Sequence, residues 1–157
     1  MRRLFSLAAT LALVASTARA QPATAYEAET ASVERTVTGF LLRLGDHEVD
    51  TLAADFAPHA IIVVSREQGG EWTTVVQTAD DWIAGLKRTP KPAIFREPLT
   101  NIRTTIEEGR HLAHLRAEFQ VMRDGRPVSS GVDQFTLVLE ASGWKIAAVA
   151  YTSRPVR

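Results

Sequence analysis

The chain contains no cysteine. That absence excludes disulfides, thiol-attached lipid and thiolate chemistry, so a folded domain must be held together by its core alone. There is no glycine-rich phosphate loop, no metal-ligating cluster, no flavin motif and no catalytic triad, so neither a cofactor nor a metal is expected. His111 and His114 come nearest to a metal pair, but strand alternation sends them to opposite faces without a carboxylate cluster beside them. Ser129 and Ser130 lack the context of a nucleophile elbow. Internal repeats and low-complexity tracts are missing as well. So is an excess of positive charge, since 18 Lys and Arg balance 18 Asp and Glu.

What is present starts with a segment that reads as a secretory signal. Arg2 and Arg3 precede an almost wholly apolar run from Leu4 to Ala15, and Ala18-Arg19-Ala20 has the small-x-small pattern of a cleavage site. The run falls short of the roughly 20 residues that span a bilayer, and no second run follows, so no membrane association is expected after cleavage. Removing residues 1–20 from 157 leaves 137, one domain by size, in the periplasm or secreted. It also removes Arg2, Arg3 and Arg19 and no acid, leaving 15 basic against 18 acidic residues. That balance argues against a nucleic-acid or anionic-membrane partner. The one basic cluster, Leu86 to Lys91, fits cations at a helix C-terminus.

After a patternless stretch expected to be a flexible leader (21–30), residues 31–157 carry the domain. Val33, Val37, Phe40, Leu41 and Leu44 recur at helical spacing up to Gly45. Val49, Leu52, Ala53 and Phe56 repeat that spacing behind Asp46 as a cap, and Pro58 blocks continuation. His59 to Ser65 is β-branched and short, a strand that turns at Gln68-Gly69-Gly70 and returns as "EWTTVVQ". Thr78, with Asp81 three residues on, opens a third helix that Lys87 and Arg88 close, with Trp82, Ile83 and Leu86 facing inward. Beyond Pro90 and Pro92, four extended stretches run from Ile94 to Ser153, joined at "EEGR", "RDGR" and "EASG". The plan is α+β, three helices packed on a strongly curved antiparallel sheet.

That order, together with Asp124-Gly125, Gly131 to Asp133, Phe135, Leu137 and Gly143 to Ile146, resembles the nuclear transport factor 2-like superfamily, in the branch labelled SnoaL-like or lumazine-binding. The resemblance covers nearly the whole of the chain after residue 20. It implies a cone-shaped cavity between helices and sheet, and pairing of two copies through the sheet face. Relatives include isomerases, dehydratases and cyclases as well as non-catalytic binding proteins, so fold alone does not give function. The chain departs from the branch at Arg116, Ser129 and Ser130, where an aromatic, a His and a Cys are expected.

Asp133 is the anomaly, an acid in line with Phe135, Leu137 and Leu139. A two-residue Ala141-Ser142 loop pairs Asp133 with Ala150 and Phe135 with Ala148. At "RDGR", a two-residue loop sets Asp133 opposite Arg116. A three-residue loop ending in a left-handed Gly125 sets it opposite Leu115. Hydrophobic matching favours the second, which groups Ala113, Leu115, Ala117, Phe119 and Val121 with Phe135 and Leu137 on the helix-facing side. Asp133 then borders a pocket lined by Trp72, Trp82, Leu115, Phe119, Phe135, Ala148 and Ala150. Desolvation there suits a general base, the role of a pocket aspartate in ketosteroid isomerase, which has the resembled fold. His59 is its candidate partner. The plainer reading makes Asp133 a salt-bridge partner of Arg116, and core packing accounts for Trp72, Trp82 and Phe119.

The opposite face carries Arg116, Glu118, Gln120, Val132, Gln134, Val149 and Tyr151, a mixture that suits a homodimer interface. Three functions stand open: an exported domain binding an unknown small molecule, a cofactor-independent lyase or isomerase with Asp133 as base, and a non-catalytic accessory domain that binds protein.

Overall fold

The computed structural model describes residues 23–89 and 94–156. The secretory signal and the first residues of the leader lie outside them. Helix α1 spans Ala23–Gly45 and buries Val33, Val37, Phe40 and Leu41, the side chains whose spacing predicts it. It starts earlier than the apolar pattern does, so most of the stretch expected as a flexible leader is helical. An ion pair from Arg110 Nε to Glu29 Oε2 at 2.6 Å ties that polar first part to the sheet.

Gly45 ends α1 because another segment crosses there. A Cβ at Gly45 would lie 2.4 Å from the Phe95 carbonyl oxygen, and the Phe95 N–H donates to the Gly45 carbonyl. Asp46 does not cap the next helix. It pairs with Arg96 at 2.8 Å, which holds the crossing segment in place. Helix α2 is only Val49–Leu52, has no side-chain cap, and passes through a single 3-10 turn into β1 (Phe56–Gln68). The second helix is therefore shorter than its periodicity suggests, and Phe56 and Pro58 belong to a strand.

The Gly69-Gly70 turn, with φ of 65° and 92°, joins β1 to β2 (Glu71–Thr78). Both dihedrals lie where glycine alone is unstrained, as a tight hairpin requires. Helix α3 (Ala79–Arg88) opens as expected, with the Asp81 N–H donating to Thr78 Oγ1 at 3.1 Å. Strands β3 (Leu99–Ile106), β4 (Leu112–Arg123), β5 (Arg126–Glu140) and β6 (Gly143–Pro155) follow as a meander. The sheet order is β2-β1-β6-β5-β4-β3. All neighbours are antiparallel except β1 and β6, which run parallel, so the curved sheet is mixed rather than wholly antiparallel. The helices pack on one face over a core that includes Leu52, Ile62, Ile83, Leu115, Phe135, Leu137 and Ile146.

Two bulges set the register around Asp133. The "RDGR" turn is a two-residue loop, with Met122 opposite Pro127, but pairing slips at Val128, so that Val121 meets Ser129 and Ala117 meets Asp133. The slip restores the helix-facing side for Asp133, Leu115, Ala117 and Phe119, although Asp133 sits opposite Ala117 rather than Leu115. At the other hairpin, Leu137 pairs with Ile146 as expected. A second slip, at Ala147, then sets Phe135 opposite Val149 and Asp133 opposite Tyr151. This slip exchanges the faces of the last part of β6. Val149 and Tyr151 turn inward, and Ala148 and Ala150 turn outward.

Candidate functional site

Asp133 is 3% exposed and is the only fully buried charged-type residue among those described. It cannot pair with Arg116, which lies on the opposite face beside Gln134. Its neighbours across the strands are Ala117 on one side and Tyr151 on the other. Gly131, two residues earlier on the same face, makes room for an aromatic: a Cβ there would lie 2.8 Å from Phe119 Cζ and 1.8 Å from the Thr152 carbonyl oxygen. Phe119 stacks edge-on against Tyr151, ring centres 6.5 Å apart.

The group that faces Asp133 is a second acid, Glu97, on the segment that crosses the end of α1. A bridge between Arg96 and Met122 fixes that segment against β4. Among the described residues no donor reaches Asp133 Oδ2, so the pair is satisfied only by a proton held between the two carboxyls. Burial, then the neighbouring charge and hydrogen bond of Glu97, push Asp133 up to about 9. Burial raises Glu97 too, while its bond with Asp133 acts in the opposite direction. Held up to about 9, Asp133 keeps a proton at neutral pH. With that proton Asp133 can donate a hydrogen bond.

Two hollows bear on the site, and Glu97 lines the smaller of them. One, of about 620 Å³, lies beneath α3 and is lined by Val64, Val75, Trp82 and Leu86 with Arg66, Glu67, Gln77, Ser129 and Ser153. Between it and Asp133 stands Tyr151, whose hydroxyl accepts a hydrogen bond from Arg66 Nη2 at 3.1 Å. The other, of about 360 Å³, is almost wholly apolar, with Leu41, Leu42, Leu99 and Met122 around Glu97. The side chains suit an amphiphilic small molecule. They offer no nest of ligands for a metal, and no such cluster occurs among the described residues.

The residues singled out from the sequence do not all come together. Trp82 is half-buried beneath α3, 6.1 Å from Phe40 and 6.2 Å from Phe56 between ring centres, and lines the larger hollow. Phe119 is beside the acids, and Leu115 and Phe135 form the core floor rather than an open wall. Trp72 does not line the hollow beneath α3, but it shares another with Phe119 and Gly131. It lies on β2 opposite Glu67, on the outer face, because Thr73, Val75 and Gln77 take the inner positions. Ala148 and Ala150 are excluded by the Ala147 slip. His59 is exposed, left-handed at φ 61°, and lines a separate hollow with Lys145 and Glu140. It sits three or more residues along β1 from the level of Tyr151, at least about 10 Å at strand spacing, and does not partner Asp133.

Glu97, Arg66 and Tyr151 went unread in the sequence. Alternation through Leu99 puts Glu97 on the inner face and could have found it. Tyr151 was assigned to the outer face, and only a bulge in β6 moves it.

Comparison with known proteins bears on the fold alone. No family model and no curated protein matches the sequence. Solved structures do match. The β subunit of a candidate aromatic-ring-hydroxylating dioxygenase from Novosphingobium aromaticivorans aligns over 85% of this chain and 94% of its own, with TM-score 0.67 and 13% identity. An NTF2-like protein of cystatin-like fold from the same organism covers 85% and 86%, at 0.64 and 12%. A candidate scytalone dehydratase, also from that organism, covers 86% and 89%, at 0.62 and 16%. The chain has the nuclear transport factor 2-like, cystatin-like fold, as the sequence resemblance implies.

Proposed function

We propose that this is an exported domain that binds a small molecule in the hollow beneath α3. The observation that carries the reading is the lining. An apolar wall of Val64, Val75, Trp82 and Leu86 ends on the hydrogen-bonded pair Arg66 and Tyr151. A flat apolar body packs against the first, and an anionic or acceptor group meets the Arg66 guanidinium. Aromatic carboxylates have that form. Titration calorimetry with a panel of them should show saturable binding, weakened at least about tenfold by Arg66→Gln and by Trp82→Ala. Equal affinity for the acids and for their neutral, non-accepting analogues would overturn the reading.

The acid pair supports a second reading, a cofactor-independent lyase or isomerase. Asp133 holds a proton beside Glu97, and Glu97, the half-buried member, lines an apolar hollow where it is placed to accept one. In that reaction Glu97 is the base and Asp133 the hydrogen-bond donor to developing charge.

A further inference from the structure

The two edges of the sheet are built differently. The β3 edge is blunted: Pro98 precedes it, Asn101 is left-handed at φ 50°, a bulge interrupts pairing between Thr100 and Arg103, and Arg103 adds a charge. These are the usual devices that stop a strand edge from pairing with another chain. The β2 edge has none of them. From Trp72 to Thr78 it carries no charge, no proline and no bulge, and it pairs with β1 without interruption. Exposed large apolar residues collect on it, with Trp72 51%, Val75 53% and Val76 66% exposed. Helix α3 leaves from Thr78 toward the inner face and does not cover the edge.

From these differences we infer that β2 pairs antiparallel with the β2 of a second copy, joining two sheets into one. The hairpin fixes which backbone groups are available. Its two-residue Gly69-Gly70 loop is closed by the pair Gln68 and Glu71, which exchange hydrogen bonds, so the N–H and C=O groups of Thr73 and Val75 point to β1. Those of Trp72, Thr74 and Val76 point outward, away from the sheet. A two-fold axis at Thr74 uses all three on each copy. It sets Trp72 opposite the partner's Val76, Thr73 opposite the partner's Val75, and Thr74 opposite its own equivalent. Aromatic with β-branched and Thr with Thr are favourable cross-strand pairs. The one charge of the strand, Glu71, meets the partner's Gln77 rather than another acid, so no like charges oppose each other. This contact is distinct from association through the outer sheet face around Arg116 and Gln134.

Light scattering over a concentration series, with hydrogen exchange on the same samples, tests it. A dimer mass should emerge on raising concentration, and the Trp72, Thr74 and Val76 amides should slow with it. Val76→Lys, at a largely exposed position, and Thr74→Pro, which removes an outward N–H only, should each weaken dimerisation at least about tenfold while the amides of Thr73 and Val75 stay protected. A monomer mass at every concentration overturns the inference. So does a dimer that survives both substitutions with the outward amides exchanging fast.

Discussion

A carboxyl group walled in by apolar side chains keeps its charge only if a cation or several N–H groups face it. Among the described residues neither reaches Asp133 Oδ2, and the titratable group that faces it is Glu97. Unfolded, it titrates at the ordinary carboxylate pH; folded, at about 9. The folded chain therefore binds more protons between those values, so the stability this group contributes is full in acid and is lost as pH rises through about 9. Melting temperature should fall by on the order of 10 °C from pH about 5 to about 9, and Asp133→Asn, whose amide can donate to Glu97 without titrating, should flatten that slope. An unchanged slope in the variant would show that the acids do not share a proton. If the proton-transfer reading holds, the same variant also loses turnover. The acid's place on an apolar stripe is what made Asp133 legible. For Glu97 alternation through Leu99 gives the face, but what brings it to Asp133 is a segment crossing the end of α1 at Gly45, a contact between residues far apart in sequence.

Elements with strong local chemistry match their sequence patterns: the buried stripe of α1, the Thr78 cap of α3 and the diglycine hairpin. Helix α2 does not. Its apolar spacing is real, but Phe56 gains more from joining β1 beside Ile146 and packing 5.3 Å from Phe40 than from another helical turn. The bulges at Val128 and Ala147 are also invisible to pattern matching, because a strand with one extra residue shows the same composition. The first left the facing of Asp133 as expected; the second reversed that of Tyr151 and the two alanines. Close to both, Gly131 tolerates no side chain. Gly131→Ala should cost about 3 kcal/mol in chemical denaturation, since its Cβ meets backbone and the Phe119 ring together. A loss below about 1 kcal/mol would mean that the strands part freely there.

At the scale of the whole molecule the hollow beneath α3 and the open β2 edge share one strand. Thr74 and Val76 belong to the free edge, and Val75 to the hollow's wall. The proposed export rests on the signal read in residues 1–20. Expressed with a secretion pathway, the protein should be recovered outside the cytoplasm with Gln21 as its first residue, by intact mass and N-terminal sequencing; recovery with Met1 retained would refute it. The central position of β6 has a kinetic meaning. Within the sheet, the β1–β2 hairpin and the β3–β5 meander are joined through β6. Until Gly143–Pro155 has been synthesised the two halves of the sheet cannot pair, so the long-range pairing that joins them comes late. A polypeptide emerging from the ribosome thus carries two unjoined pieces of sheet until β6 has followed them.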